Sequence, residues 1–357
     1  MSMGLIKEFD SVAQRVLYGL RFVYADFVAV ESDLVSAGSQ QRLHELMGRM
    51  LGRLYEEPGL LELPDNPDEA YEWHLCNNQK PALNAVFLAV CKPIYEFYKF
   101  LYITALRGEL RGGALSVGGD VLKQNKAGYK PCFGNLLRQA GIEAVKDKNG
   151  VTLNAGGEVL AALKLLAERV PVDPDPWHPY ALEDFARCSF DGGKAYLIER
   201  IDNVNGWNGL LTGLQKECLE NGYEQEIKLS LGAAGQGLDI YLKNKVGGFQ
   251  TGYNPRKYQQ FYFGTINGIG EKAMLTDFDS LDGDIRRHFI SICRRCNGCL
   301  ICTKSGKNKK FTVEVTYDGT AYKLCPSYPR HSWEAPDPKL IGVLLKYHEL
   351  QEKYALK

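Results

Sequence analysis

The chain predicts an α+β fold with a helical N-terminal region, a central antiparallel sheet with packed helices, and a cysteine-rich C-terminal knuckle. Three observations carry this expectation. Apolar residues recur at helical spacing through the first ~170 residues. Short strand-like runs separated by glycine and asparagine turns follow. Four cysteines then fall within ten residues, at 293, 296, 299 and 302.

In the first region, Val12 to Val28 and Gln41 to Tyr55 carry helical apolar spacing. Asn66-Pro67-Asp68-Glu69 reads as a helix start, with a capping amide, a proline suited to the first turn and acids at the positive dipole end. Pro81 opens a long apolar helix in which Pro93 predicts a break or kink. Arg107 to Gly119 is glycine-rich and reads as a loop. Phe133 to Ala140 is a helix stopped by Gly141. Asp147-Lys148-Asn149-Gly150 is a hairpin turn between Ile142–Val145 and Val151–Leu153, and Glu158 to Arg169 is a further helix. Helix, hairpin, helix is compatible with a winged-helix-like unit, as with many small α+β modules. Its helices are not notably basic, which argues against DNA binding there.

Four prolines between Pro171 and Pro179 mark an extended connector. They divide a helical domain, 1–170, from an α+β sheet domain, 180–290, followed by a metal knuckle with hairpin and C-terminal helix, 291–357. In the middle unit, Leu210 to Glu220 reads as a helix. Glu226–Leu231, Leu238–Leu242, Gly248–Tyr253 and Gln260–Ile266 read as strands. Asp284 to Ile292 is a helix leading into the cysteines. Phe311–Val315 and Ala321–Leu324 flank the hairpin signal Tyr317-Asp318-Gly319, and Lys339 to Tyr354 is the last helix.

At 357 residues the chain is long for one core, so two or three domains are expected. Lys plus Arg equal Asp plus Glu, 43 against 43, so attraction to nucleic acid must be local. The polar start MSMGLIKEFD does not read as a signal peptide. The apolar stretch from Ala82 to Ile103 holds Lys92, Pro93, Glu96 and Lys99, so it fails as a membrane span. A cytoplasmic protein without membrane association is the expectation. The ten cysteines do not read as a disulfide scaffold, because five are scattered and the rest form one tight array with Cys325.

Thiolates bind soft or borderline metals, and two C-x-x-C steps can wrap one ion that a cysteine returning on a hairpin would complete. The order is knuckle, lysine-rich turn, hairpin, ligand, the layout of a zinc-ribbon-like module. The preferred zinc set is Cys293, Cys296, Cys299 and Cys325, with Cys302 and His331 as substitutes. The alternative cofactor is an iron–sulfur cluster, because C-x-x-C-x-x-C with a later C-P is similar to bacterial ferredoxins. The fourth local spacing of two residues, and the lack of a second cluster motif, count against it. A closed four-thiolate site is structural and supplies folding energy, not catalysis.

From Arg286 to Lys310 there are eight basic residues and no acidic one. Four thiolates around Zn²⁺ leave a charge of about −2, which eight cations exceed. Arg294, Arg295, Lys304, Lys307, Lys309 and Lys310 therefore make a candidate anion-binding face for nucleic acid or a phosphate ligand. The string CRRCNGCLICTKSGKNKKFTVEVTYDGTAYKLCP resembles a C-terminal CxxCxxC…CP cysteine-rich module of uncharacterised bacterial proteins. That resemblance implies Cys293, Cys296, Cys299 and Cys325 as the shared positions, makes Cys302 the extra, and implies no function.

Other motifs fall away. The acids from Asp277 to Asp284 miss the EF-hand register, Gly232 to Gly237 precedes a strand and not a helix, and Ser305-Gly306-Lys307-Asn308 lacks the Walker hydroxyl. Tyr253, Arg256, Tyr258 and Tyr262 interleave aromatics with a basic residue and form a candidate ligand pocket in the central sheet. No catalytic constellation is visible. The leading expectation is a zinc-binding, non-enzymatic binding or regulatory protein. The alternatives are an enzyme or small-ligand sensor with its pocket in the central sheet, or an iron–sulfur electron-transfer protein.

Overall fold

The computed structural model describes residues 11–63, 80–156, 158–170, 182–232, 235–245, 247–253, 262–266, 271–295, 313–329 and 332–334, with helical positions between 343 and 354. The chain is α+β, with antiparallel sheets and helices packed on them. The Asn66 helix start and the connector expected from Pro171 to Pro179 lie outside the described residues.

Helix α1 (Val12–Val23) starts at Ser11, whose hydroxyl accepts the Gln14 N–H at 3.1 Å. It ends five residues earlier than the apolar spacing predicts, because tertiary partners take over its last backbone groups. Arg200 donates to the carbonyls of Phe22 and Tyr24, both at 2.6 Å, and the Ala25 N–H donates to the Arg187 carbonyl at 2.9 Å. Helix α2 (Ala37–Glu56) is capped by Ser36. Helix α3 (Lys80–Arg107) continues through Pro93, where a break or kink was expected. Proline removes one hydrogen bond, but Val90, Ile94, Phe97, Tyr98 and Leu101 around it are all buried, and that packing holds the helix together.

The stretch expected as a loop after α3 is a hairpin. Strands β1 (Glu109–Arg111) and β2 (Ala114–Gly118) join through Gly112 and Gly113, whose φ values of 56° and 81° suit glycine. Helices α4 (Gly119–Gln124) and α5 (Pro131–Gln139) follow, then β3 (Glu143–Lys146), β4 (Gly150–Asn154) and α6 (Val159–Arg169). The sheet order is β1-β2-β4-β3, with β2 on β4 from Ala114↔Asn154 to Gly118↔Gly150. Thus α3, β2, α4, α5, β3 and β4 have winged-helix-like connectivity, with α4 and α5 preceding the β3–β4 hairpin. Their apolar faces join α1, α2 and α3 in one core, which also takes in Leu182, Phe185 and Phe190 beyond the connector.

After α7 (Leu182–Ala186), helices α8 (Tyr196–Asn205) and α9 (Leu210–Glu220) pack on the central sheet. That sheet contains β5 (Glu224–Gly232), β6 (Gly235–Lys243), β7 (Gly248–Tyr253) and β8 (Tyr262–Ile266). Its fifth strand, β12 (Ser332–Glu334), comes from the chain's far end and pairs with β8 through Trp333↔Phe263. The order β12-β8-β7-β6-β5 is antiparallel throughout, and its core includes Phe22 and Val23 from α1.

A third core joins α10 (Glu271–Thr276) and α11 (Gly283–Ile292) to a three-stranded sheet of β9 (Cys293–Arg295), β10 (Val313–Tyr317) and β11 (Thr320–Pro329). Asp318 and Gly319 turn the β10–β11 hairpin at φ values of 46° and 71°, the primed-turn geometry that Asp-Gly predicts. Among the described residues, no helix is long and apolar enough to cross a membrane.

Candidate functional site

The C-terminal sheet brings the two ends of the cysteine array onto neighbouring strands. Helix α11 buries Ile285 and Phe289 in the third core and runs directly into β9, whose first residue is Cys293. Strand β9 lies antiparallel to β11, with Arg295 opposite Leu324 and Cys293 opposite Pro329. The two pairs differ in spacing, two residues on β9 against five on β11, so an irregularity falls between them. Cys325 sits within that irregular stretch, one residue after Leu324, which is wholly buried.

Of the other expected ligands, Cys296, Cys299, Cys302 and His331 lie outside the described residues, as do Lys304, Lys307, Lys309 and Lys310. Arg294 and Arg295 are on β9, beside the strand that bears Cys325. Among the described residues no group of three or more potential ligands gathers. Just upstream, Arg287 is exposed and pairs with Asp284 at 3.4 Å.

Of the four positions expected to line a pocket, Tyr253, Arg256, Tyr258 and Tyr262, only Tyr253 has a described side chain. Tyr253 is a core side chain, 1% exposed; its hydroxyl donates to the Arg15 carbonyl at 2.8 Å and its ring meets Tyr18 edge-on at 5.5 Å. It fastens α1 to the sheet. Tyr262 is on β8, opposite Glu334 of β12, while Arg256 and Tyr258 lie outside the described residues.

A cavity of ≈ 200 Å³ opens at the other end of this sheet, lined by Glu217, Cys218, Asn221, Tyr223, Phe249, Glu349 and Glu352. Tyr223 stacks on Phe249 with an interplanar angle of 18°. Burial, then the Glu352 carboxylate, hold the Tyr223 phenol protonated far above its ordinary range. Burial and Glu217 push the Cys218 thiol up to about 12, so it is no nucleophile at neutral pH.

Two groupings have no signature in the one-dimensional pattern. Arg187 is fully buried at the junction of the first two cores, where Nε bonds Asp184 at 2.8 Å and Nη1 bonds the Gly193 carbonyl at 2.6 Å. Lysines from the α4–α5 turn and the β3–β4 hairpin also stand over one aromatic cluster, Lys130 over Phe133 and Lys146 over Tyr129, and Lys99 on α3 lies near enough to Lys126 to feel its charge.

Comparison with protein-family models, curated proteins and solved structures found no match for this chain.

Proposed function

We propose that the chain is a nucleic-acid-binding protein whose C-terminal module is held by zinc and presents the basic segment 286–310 to backbone phosphates. The observation behind this reading is the pairing of β9 with β11. It sets the backbones of Cys293 and Cys325 on adjacent strands, although 32 residues separate them in sequence. The preferred tetrahedral set draws donors from both strands, with Zn–S bonds of about 2.3 Å.

The donor set suits zinc. Thiolates at 293, 296 and 299 form the knuckle, and Cys325 returns on the hairpin; Cys302 and His331 remain as substitutes. When bound, the ion contributes folding free energy to a module with a small core, and a four-thiolate shell leaves no open position for catalysis. The chain's own residues carry recognition. Arg294 and Arg295 on β9, with Lys304, Lys307, Lys309 and Lys310, exceed the charge that the thiolates leave.

The test is elemental analysis of protein purified without added metal, beside Cys325→Ser and Cys302→Ser. One zinc per chain, lost in the first variant and kept in the second, supports the reading. A brown protein with iron and sulfide replaces it with the iron–sulfur alternative.

A further inference from the structure

A second cationic surface shares no residue with the segment 286–310. It is built on the winged-helix-like unit, from parts that the sequence keeps apart. Lys126 follows α4, Lys130 immediately precedes α5, and Lys146 ends β3. The Lys146 ammonium stands 5.9 Å from the centre of the Tyr129 ring, and the Lys130 ammonium 5.8 Å from that of Phe133. Both rings rest on Phe100, at 5.5 and 5.6 Å. Hairpin and turn thus deliver their charges over one aromatic platform. The turn is tight, since a Cβ at Gly134 would collide with the Tyr129 hydroxyl.

Lys99 on α3 joins the group. Burial first, and then the charge of Lys126, depress its ammonium pKa, with Glu96 opposing the fall. Glu96 answers Lys130 at 2.6 Å and Lys92 at 3.9 Å. Lys123, Lys126, Arg138, Lys146 and Lys148 are exposed, and none forms an ion pair within the described residues. Like charges gathered this way cost stability unless an anion meets them.

The shape narrows the anion. Helix α5 buries Cys132, Phe133, Leu136 and Leu137 and leaves Pro131, Asn135, Arg138 and Gln139 exposed along one face. Asn, Arg and Gln are the side chains that read base edges, and the B-DNA major groove, about 12 Å wide, admits a helix. The major groove of A-form RNA is too deep and narrow to be read this way. The hairpin next to the helix carries Lys146, Lys148 and Asn149, exposed and suited to the phosphate backbone. Helix α5 carries one basic residue, Arg138; the lysines set to meet the phosphates come from the turn and the hairpin.

We propose that this unit docks on B-form duplex DNA, with α5 in the major groove and Lys126, Lys130, Lys146 and Lys148 on the flanking phosphates. The test uses the full chain and a labelled, mixed-sequence DNA duplex of about 20 bp, read by fluorescence anisotropy between about 50 and 200 mM NaCl. Four phosphate contacts predict a log K against log salt slope of about −3.6. The double variant Lys126→Glu/Lys146→Glu should bind on the order of tenfold more weakly or worse, with a slope shallower by about 2. An RNA duplex of the same sequence should bind at least about tenfold more weakly than the DNA. Wild-type affinity and slope in the double variant would overturn the proposal, as would equal binding of RNA, or no binding to DNA at the lowest salt. The control Lys307→Glu/Lys310→Glu separates the two sites. If it alone abolishes binding, the C-terminal reading stands and this one falls.

Discussion

The Arg187 guanidinium donates to the Tyr196 hydroxyl at 3.0 Å, and that hydroxyl donates in turn to the Val23 carbonyl at 2.6 Å. Val23 ends α1, which contributes to both the first and second cores. A relay of two side chains therefore couples the helical region to the sheet region. Arg187 has no solvent exposure and spends its charge on Asp184 at 2.8 Å.

Replacing Arg187 with methionine should accordingly destabilise the chain by about 3 kcal/mol or more, because the Gly193 carbonyl and Asp184 lose a buried partner. Arg187→Lys should recover only part of the loss, since an ammonium cannot reproduce the fork. Urea unfolding of both variants checks this; equal stability of Arg187→Met and the wild type would deny the relay any structural role.

Asp202 makes a comparable link. Helix α9 begins at Gly209, which has no side chain to cap it. The Asp202 carboxylate on α8 does so instead, accepting the N–H of Leu211 at 2.8 Å, the N–H of Thr212 at 2.9 Å and the Thr212 hydroxyl at 2.7 Å. Asp202 is 1% exposed, so Asp202→Ala should cost about 2–4 kcal/mol in denaturant unfolding. A loss under about 0.5 kcal/mol would place the α9 start under other control.

Alkaline pH should unfold the chain through its buried acids. Burial pushes the Cys188 thiol from an ordinary value of 9.0 up to about 12. The folded pKa is raised, so the stabilising contribution is whole below pH 9 and is lost as pH climbs towards 12. The unfolded chain releases the proton first, at about 1.4 kcal/mol per pH unit for this one group. Urea midpoints measured from pH 8 upwards should fall, and Cys188→Ala should flatten the fall by that amount. An unchanged slope in the variant would show that Cys188 does not titrate across the transition.

Thiol labelling separates the two classes of cysteine. Cys91, Cys132, Cys188 and Cys218 are buried. They should be silent to a thiol reagent at pH 8 in the folded protein. Adding a strong chelator should release about four fast-reacting thiols if zinc holds the knuckle. No burst on chelation would count against a metal there.

Much of the fold was legible in the chain. Each of the two strongest hairpin signals, Asp147 to Gly150 and Asp318-Gly319, marks a real turn, because the conformations it needs are local to two or three residues. Helix α8 had a stop signal at Gly206, at φ 65°, yet went unread because its apolar pattern spans only ten residues. The glycines after α3 were read as a loop, because β1 and β2 exist only through pairing, β2 with a strand 36 residues later.

The sequence by itself determined the α+β class, most helices and hairpins, and the array from Cys293 to Cys302, since spacing and turn chemistry are properties of neighbouring residues. Only the tertiary structure decided that β12 closes the central sheet, that β9 runs beside the strand of Cys325, and that Lys130 and Lys146 stand over rings that both meet Phe100. Charge and strand pairing act through space. Residues tens of positions apart become neighbours only once burial of Phe100, Phe133 and their like has fixed the path of the chain between them.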